Sequence, residues 1–315
     1  MNSKKSGWLF LIVVVVYLGV QYLLSYLMRF LPIHGMSFEF ALFFGETLML
    51  VPTLLFLLFN RSNPLKVCRF HKIKISTALM TVLFAFLAMP AATLMNILSM
   101  YFVENTVSQM SPQMLNTGFG LCFLAIAVYG PFVEEVVFRG AIFGGMRESA
   151  SVWKSMLLSA LLFGMMHMNF NQMGYAFVLG ISMALLVEAT GSIWASIIFH
   201  ITVNARSVIA LFGVEKLSGL SQDLAELLGQ TDVIEAAEAT VTNSQLAAML
   251  CLELLVAVVC LPIAGCVLVF LAKRENRLER LKSIWVERRQ GKVFGIPVII
   301  GMIICVVEMV LSVLY

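Results

Sequence analysis

Long apolar runs are the feature of this sequence that most restricts its fold. Apolar residues make up 60% of the 315 residues and charged residues only 12%, against about 45–50% and about 25% in soluble domains. Most of the runs approach or exceed the roughly 20 residues that a helix needs to cross a bilayer. They cover residues 8–31, 38–59, 76–103, 118–142, 152–170, 173–189, 191–212, 245–272 and 293–314. We therefore predict an all-α, polytopic transmembrane bundle of about nine helices (eight to nine), with residues 1–315 as a single integral membrane domain.

The distribution of basic residues among the loops predicts the orientation of the bundle. Two lysines precede the first helix, five basic residues lie between positions 61 and 74, and residues 273–292 are strongly basic. We expect all three segments in the cytoplasm. The segments 104–117 and 213–243 are poor in lysine and arginine, so we expect them outside. This alternation fits a multi-pass protein of the cell membrane with a cytoplasmic N-terminus, nine crossings and an external C-terminus.

Two loops carry helical patterns of their own. In residues 273–292, Leu278, Leu281 and Trp285 share one helical face among basic residues, which predicts a basic cytoplasmic helix at the interface with anionic lipid. In the extracytoplasmic loop 213–243, leucines recur at helical spacing and predict a short surface helix. The net charge of the chain is only +3. This charge is too small to suggest binding of nucleic acid, so we expect no nucleic acid as a partner. The expected partner is the lipid bilayer, because of the apolar runs and the basic helix.

The fourth apolar run contains three ionisable residues within six positions: Glu134, Glu135 and Arg139. Such residues cost roughly 2.5–3.5 kcal/mol each in a membrane span, and those that occur there usually have a function. Glu135 and Arg139 are four residues apart, so they should form an ion pair on one helical face. Glu134 lies about 100° around the helix and is left without a local partner, which suits a general base or acid. The alternative is that all three residues only tie helices together.

Two histidines and an asparagine occupy other spans of the same region. His167 lies in the fifth run, and His200 and Asn204 share a face of the seventh. A single buried histidine usually has a structural role, but two of them beside a pair of glutamates favour a function. Counted from the cytoplasmic helix ends at about 1.5 Å per residue, Glu134, His167 and His200 fall at similar depths of roughly 12–20 Å. We therefore expect these three side chains to meet near the middle of the membrane.

These residues resemble the motifs of the CAAX-processing and bacteriocin-processing (CPBP) family of intramembrane proteases, in its bacterial form. The family is marked by E-E-x-x-x-R, F-x-x-x-H and H-x-x-x-N, on separate helices and in this order. Here the three motifs read Glu134 to Arg139, Phe163 to His167, and His200 to Asn204. The resemblance covers residues 118–206, which we interpret as the catalytic core helices.

The resemblance implies an intramembrane endopeptidase that hydrolyses membrane-associated peptides or membrane-protein tails. Its implied site residues are catalytic Glu134, His167, His200 and Asn204, with Glu135 and Arg139 in support. Glu134 would activate a water molecule, and His167 would help to bind or orient that water. His200 and Asn204 would donate hydrogen bonds to the tetrahedral oxyanion. Phe163 is interpreted as a packing residue.

The same resemblance leaves the metal open. Members of the family are commonly labelled metalloproteases, and one glutamate with two histidines can ligate zinc while leaving a position for water. If zinc is a cofactor, its ligands are Glu134, His167 and His200. The H-E-x-x-H pattern of many zinc peptidases is missing, and a metal-free glutamate mechanism fits these residues equally well. We favour the metal-free mechanism on its chemistry.

Two other classes of protein compete with the protease interpretation. Intramembrane glutamates and histidines also form the proton relays of proton-coupled transporters. Against a transporter, the sequence has no repeat and no second set of charges in corresponding halves. The other alternative is a catalytically idle membrane scaffold or regulator, which the complete set of motifs disfavours.

Overall fold

The structure is a computed structural model, and it describes residues 1–30, 36–227, 242–287, 289 and 291–314. Every regular element within these residues is a helix. Eight helices are long and apolar enough to cross a membrane, and a ninth, Val152–Met166, is apolar but only 15 residues long. The predicted all-α bundle of eight to nine spans is confirmed.

We number the apolar helices α1 to α9 in chain order. They are α1 (Ser3–Met28), α2 (Phe38–Phe59), α3 (Ile75–Ser99), α4 (Phe119–Ser149), α5 (Val152–Met166), α6 (Phe170–Thr190), α7 (Ile193–Leu227), α8 (Asn243–Arg274) and α9 (Ile296–Leu314). Where the connections are described, they contain three shorter helices: Pro64–Val67, Thr106–Thr117 and Leu278–Ser283.

Helices α4 and α6 are the most buried of the eight long helices. In each of them 56% of the residues in the most apolar part are buried inside the protein, against 22–39% in the other six. The ionisable residues in the middle of α4, Glu134, Glu135 and Arg139, are at most 14% exposed and so face other helices and not lipid. Charged groups in a membrane span are costly when they face hydrocarbon, and they occur where the protein itself surrounds them. The interior position of these residues meets that condition.

The basic connections meet at one end of the bundle. The backbone N–H of Ser3, at the start of α1, donates to Oγ of Ser149 at the end of α4, at 2.9 Å. Lys74, just before α3, donates to the carbonyl of Arg274 at the end of α8, at 3.0 Å. The segments predicted to be cytoplasmic thus share one end, and the side of the membrane on which this end lies stays a prediction.

A buried carboxylate holds the same end together. Glu188, near the end of α6, has no exposed side-chain surface, and its Oε1 lies 3.1 Å from Arg69 and 2.7 Å from Arg147. Its Oε2 lies 3.0 Å from Arg280, and Nε of Arg277 donates to its backbone carbonyl at 2.9 Å. We call these five residues the Glu188 cluster. The cluster joins α4, α6 and the connections that precede α3 and α9.

Two predicted boundaries differ from the structure. The run 152–170 was expected to be one helix with His167 in its interior, but α5 ends at Met166 and His167 caps it. Met168 has a left-handed backbone (φ 54°), and the Asn169 side chain accepts a hydrogen bond from Gln172 and caps α6. Hydropathy does not reveal this reversal, because the residues on both sides of it are apolar.

The second difference concerns α7. A break was expected after residue 212, followed by a separate surface helix in the loop 213–243, but α7 continues without interruption to Leu227. The leucine pattern of residues 217–224 is therefore the continuation of a membrane helix. The rest of the predicted helix and of the loop, residues 228–241, lies outside the described residues.

Among the described residues of the basic segment that follow α8, the one helix is the short Leu278–Ser283. Ile284 directly after it is fully buried against α4, α5 and α6, and Leu281 packs beside it. Trp285 is largely exposed. Because Arg277 and Arg280 turn inward to Glu188, these two arginines are not available for lipid headgroups. The interfacial position of the segment stays a prediction.

Candidate active site

The two glutamates lie on an α-helical segment in the middle of α4. This segment, Gly130–Glu135, is flanked by π-helical turns at Phe123–Tyr129 and Val136–Phe143. Single π-helical turns within α-helices are frequent at functional sites, because they alter the backbone hydrogen bonding and re-aim side chains. Here the carbonyl of Ile126 accepts a hydrogen bond from Nδ2 of Asn204, at 2.9 Å. Asn204 therefore ties α7 to α4 beside the site.

Glu134, His167 and His200 come together from α4, the end of α5 and α7. Oε1 of Glu134 lies 3.9 Å from Nε2 of His167, and Oε2 lies 3.5 Å from Nε2 of His200. Both distances exceed the roughly 3.2 Å limit of a good hydrogen bond, so a polar atom of water or substrate can be shared between these groups. The side chains of Glu134 and His167 are 14% and 20% exposed, against 5% for His200. The site is therefore accessible from the side of Glu134 and His167.

Both imidazole rings are oriented by a second contact. Nδ1 of His167 lies 3.0 Å from the carbonyl of Phe163, and Nδ1 of His200 lies 3.1 Å from Oε1 of Glu135. Because a carbonyl oxygen only accepts, Nδ1 of His167 is the donor in its contact. Nε2 of each ring is left facing Glu134. Carboxylate oxygens lie near both ring nitrogens of His200, so both nitrogens are placed to donate.

Glu135 and Arg139 form the ion pair that their spacing predicts. Oε1 of Glu135 lies 3.0 Å from Nη1 of Arg139, and neither side chain has any exposed surface. None of the guanidinium nitrogens makes a well-directed hydrogen bond within the described residues, so the contact is ionic. The guanidinium carbon lies 4.1 Å from the centre of the Phe163 ring, a cation–π contact. Edge contacts of the same ring with His167 and His200 have centroid distances of 5.0 and 5.7 Å.

Three residues around the site were not assigned to it from the sequence. Phe163 was interpreted as packing, and its buried ring packs against both imidazoles and the guanidinium. Gly180 of α6 leaves room for the guanidinium, since a Cβ there would lie 3.0 Å from Nη2 of Arg139. Glu46 of α2 faces the turn of α4 before Glu134, since a Cβ at Gly130 would lie 3.4 Å from its Oε1. A glutamate in an apolar run was the only sequence signal for Glu46.

The fit of the site to a metal ion can be tested on the geometry of its ligand atoms. Across the described ranges, no group of three or more His, Cys, Asp or Glu side chains is arranged to hold a metal ion. The zinc ligands that the resemblance would supply, Glu134, His167 and His200, nevertheless approach one another, with Oε1 and Oε2 of Glu134 at 3.9 and 3.5 Å from Nε2 of His167 and of His200. The choice between zinc and a metal-free mechanism therefore stays a prediction, and we derive the chemistry of the site from the protein's own groups.

The fold and the polar site define a multi-pass helical membrane protein with glutamate and histidine side chains at its centre. Residues 116–206 match a family model described as type II CAAX prenyl endopeptidase Rce1-like. A relative from Bacillus subtilis (strain 168), named "Putative membrane peptidase YdiL", is 30% identical over 89 residues, which are 28% of this chain and 36% of the relative. No solved structure matches the chain. These matches confirm the resemblance to the CPBP family.

The similarity is confined to part of each protein. The matched stretch spans little more than a third of the relative. The matched segment 116–206 holds α4, α5, α6 and the first part of α7, and these helices carry all six of the predicted site residues. Helices α1, α2, α3, α8 and α9 lie outside it and surround this core.

Proposed function

We propose that the protein is an intramembrane endopeptidase that hydrolyses peptide bonds of membrane-associated peptides or membrane-protein tails. The observation that carries the proposal is the position of Glu134. Its carboxylate lies inside the bundle, faces two imidazole nitrogens at 3.5 and 3.9 Å, and remains partly accessible. Glu134 lies in the segment of the chain that is similar to membrane peptidases.

Glu134 acts as the general base in this proposal. A water molecule between Oε1 of Glu134 and Nε2 of His167 loses a proton to the carboxylate, and its oxygen attacks the carbonyl carbon of the peptide bond. Nε2 of His167 is the acceptor that orients the water, because Nδ1 already donates to the Phe163 carbonyl. When the carbon–nitrogen bond breaks, Glu134 returns the proton to the leaving amine. A positioned base of this kind contributes roughly 10²–10⁴-fold to the rate.

His200 and Asn204 stabilise the negative oxygen of the tetrahedral intermediate. Nε2 of His200 faces the site, and its Nδ1 is held by Glu135. Nδ2 of Asn204 carries two hydrogens, and only one is needed for the bond to the Ile126 carbonyl. The second hydrogen remains for the oxyanion. One such donor typically contributes roughly 10²–10³ in turnover.

Glu135 and Arg139 position the other groups. Glu135 contacts both His200 and Arg139 through the same oxygen. Arg139 balances the charge of Glu135 and is held against the Phe163 ring. The pair thereby fixes the ring of His200 relative to Glu134, although neither Glu135 nor Arg139 has any exposed side-chain surface.

The experiment compares the peptides of cells that carry the intact protein with those of cells that carry Glu134→Ala at equal membrane abundance. We expect a set of peptides whose cleavage depends on Glu134. The matched control is Glu253→Ala, which removes a carboxylate from the apolar helix α8 and should leave the peptides unchanged. If the intact protein and Glu134→Ala give the same peptides, the transporter and scaffold interpretations regain support.

We also propose that the end of the bundle with the basic connections faces the cytoplasm. The contacts of Ser3 with Ser149 and of Lys74 with Arg274 group these connections, and the positive-inside rule supplies the direction. Reporter fusions near residue 283 should then give a cytoplasmic signal, and fusions near residue 110 an external one. An external signal near residue 283 would contradict this orientation.

A further inference from the structure

A groove outside the active site lies between α5, α6 and the residues that lead into α9. Its volume is about 680 Å³, within the roughly 300–1,000 Å³ of small-molecule sites. The apolar part of its lining consists of Leu157, Leu158, Leu161, Phe177, Val293 and Phe294. A groove with such walls in a membrane protein is suited to a hydrocarbon chain.

Two unpaired ammonium groups lie at this groove. Lys154 and Lys292 both line it and are both exposed. Within the described part of the chain, neither lysine has a carboxylate within 4 Å, and Nζ of Lys154 lies 5.4 Å from the centre of the Trp153 ring. Arg289 also lines the groove, but its guanidinium is already bound to Glu287 at 2.5 Å. The two lysines are therefore the cations that remain free to meet an anionic ligand.

The tryptophan and lysine residues of the groove indicate how deep in the membrane its opening lies. A second groove, of about 380 Å³, lies on the other side of the segment 292–294 and is lined by Lys4 and Trp8. Each groove thus has one tryptophan and one lysine of its own beside the shared Lys292. These two residue types concentrate at the membrane–water interface. The mouth therefore lies at the level of the lipid headgroups, and the leucines of α5 extend from it into the hydrocarbon.

We propose that the groove binds an anionic phospholipid, with one acyl chain against α5 and the phosphate at Lys154 and Lys292. Apolar walls alone would accept a chain of any lipid, but two unpaired ammonium groups favour a negatively charged headgroup. Helix α5 is 15 residues long, or about 22 Å, and is shorter than the roughly 30 Å of a hydrocarbon core. A lipid bound beside α5 would occupy the part of the hydrocarbon core that this short helix does not span. The proposal concerns binding and does not rest on the proposed function.

The test measures lipid retention by the full-length protein in detergent, with native mass spectrometry as the readout. Phosphatidylglycerol and phosphatidylcholine with identical acyl chains are offered in equal amounts. We expect preferential retention of phosphatidylglycerol. Each lysine near an anionic headgroup contributes roughly fivefold in affinity, so Lys154→Gln with Lys292→Gln should weaken retention on the order of 25-fold. The matched control, Lys66→Gln with Lys72→Gln, removes two exposed lysines of the α2–α3 connection and should change nothing.

A second variant tests the groove itself. Leu161→Trp fills the groove and keeps both lysines, so it should abolish retention of phosphatidylglycerol; Leu157→Trp serves the same purpose if Leu161→Trp does not fold. Glycerol phosphate without acyl chains should not displace the lipid. Equal retention of the two lipids, wild-type retention by the double lysine variant, or displacement by glycerol phosphate alone would each overturn the proposal.

Discussion

Two carboxylates inside this bundle have opposite surroundings. Glu188 has no exposed side-chain surface and contacts Arg69, Arg147 and Arg280 at 2.7–3.1 Å. Glu134 is partly accessible, and its basic neighbours within 4 Å among the described residues are two histidines, at 3.5 and 3.9 Å. A buried charge with a complete set of partners serves the structure. A buried charge with loose contacts and access to solvent keeps the capacity to bind and transfer a proton.

The energetic cost of disturbing the two sites should differ for the same reason. Removing one partner of a buried ion pair leaves an uncompensated charge and costs about 3–5 kcal/mol. In the Glu188 cluster the arginines outnumber the central carboxylate, and burial lowers the pKa of Arg277 although Glu188 partly offsets this effect. Removing Glu188 would therefore leave the buried Arg147 and three partly buried arginines with only Glu148 and Glu287 as carboxylates within 4 Å among the described residues. Removing the charge of Glu134 leaves the fully buried Arg139 with its direct partner, Glu135.

The largest effect is expected for Glu188→Ala. The free energy of unfolding should fall by about 3–5 kcal/mol, which would show as a loss of folded protein in detergent extracts. Glu279→Ala is the matched control, because Glu279 and Lys282 form a pair that is 84% and 62% exposed. Exposed pairs contribute little, so that variant should fold normally. Equal folded yields of the two variants would mean that the Glu188 cluster does not hold the bundle together.

The next-largest effect is a difference in folded yield between variants of the adjacent glutamates of α4. Glu135→Gln should lower the folded yield more than Glu134→Gln, because it leaves the fully buried Arg139 without its carboxylate. Size-exclusion profiles and thermal unfolding of the two variants, prepared in parallel, measure the difference. If Glu134→Gln is the variant that fails to fold, the roles of the two residues are reversed.

A smaller effect is expected for Asn204→Ala. Turnover should fall by roughly 10²–10³, nearly as much as in His200→Ala. The free energy of unfolding should fall by only about 1 kcal/mol, from the lost bond to the Ile126 carbonyl. Ser207→Ala removes a polar group from the exposed side of α7 and should change neither quantity. Wild-type turnover by Asn204→Ala would remove this residue from the oxyanion site.

No effect is expected from chelation. Purified protein should keep its peptidase activity after treatment with a strong chelator, because the proposed mechanism uses only protein groups and water. Stoichiometric zinc that is removed together with activity, and restores activity on return, would contradict this prediction. In that case Asn204→Ala should matter less than either histidine, since a metal would polarise the carbonyl.

The parts of this molecule that the sequence predicted are those that depend on local pattern. The apolar runs predicted the apolar helices α1 to α9 of the described residues, and the i,i+4 spacing predicted the pair of Glu135 and Arg139. The end of α5 was missed because the left-handed backbone of Met168 has no signal in hydropathy. The continuation of α7 past residue 212 was missed because acidic residues suggested a loop.

The Glu188 cluster was missed for a different reason. Its carboxylate comes from α6 and its arginines from α4 and from the connections before α3 and before α9. Each arginine alone is a topology signal in a loop, and only tertiary packing brings them to one carboxylate. The partners of Phe163 were missed similarly, since a phenylalanine in an apolar helix carries no sign of the ions that pack on it.

The role of Glu134 as catalytic base is tested on purified Glu134→Gln, with stability and peptide cleavage measured on the same sample. We predict a melting temperature close to that of the intact protein and a loss of cleavage of roughly 10²–10⁴-fold. A folded Glu134→Gln that cleaves peptide at the rate of the intact protein would contradict the assignment of Glu134 as the catalytic base.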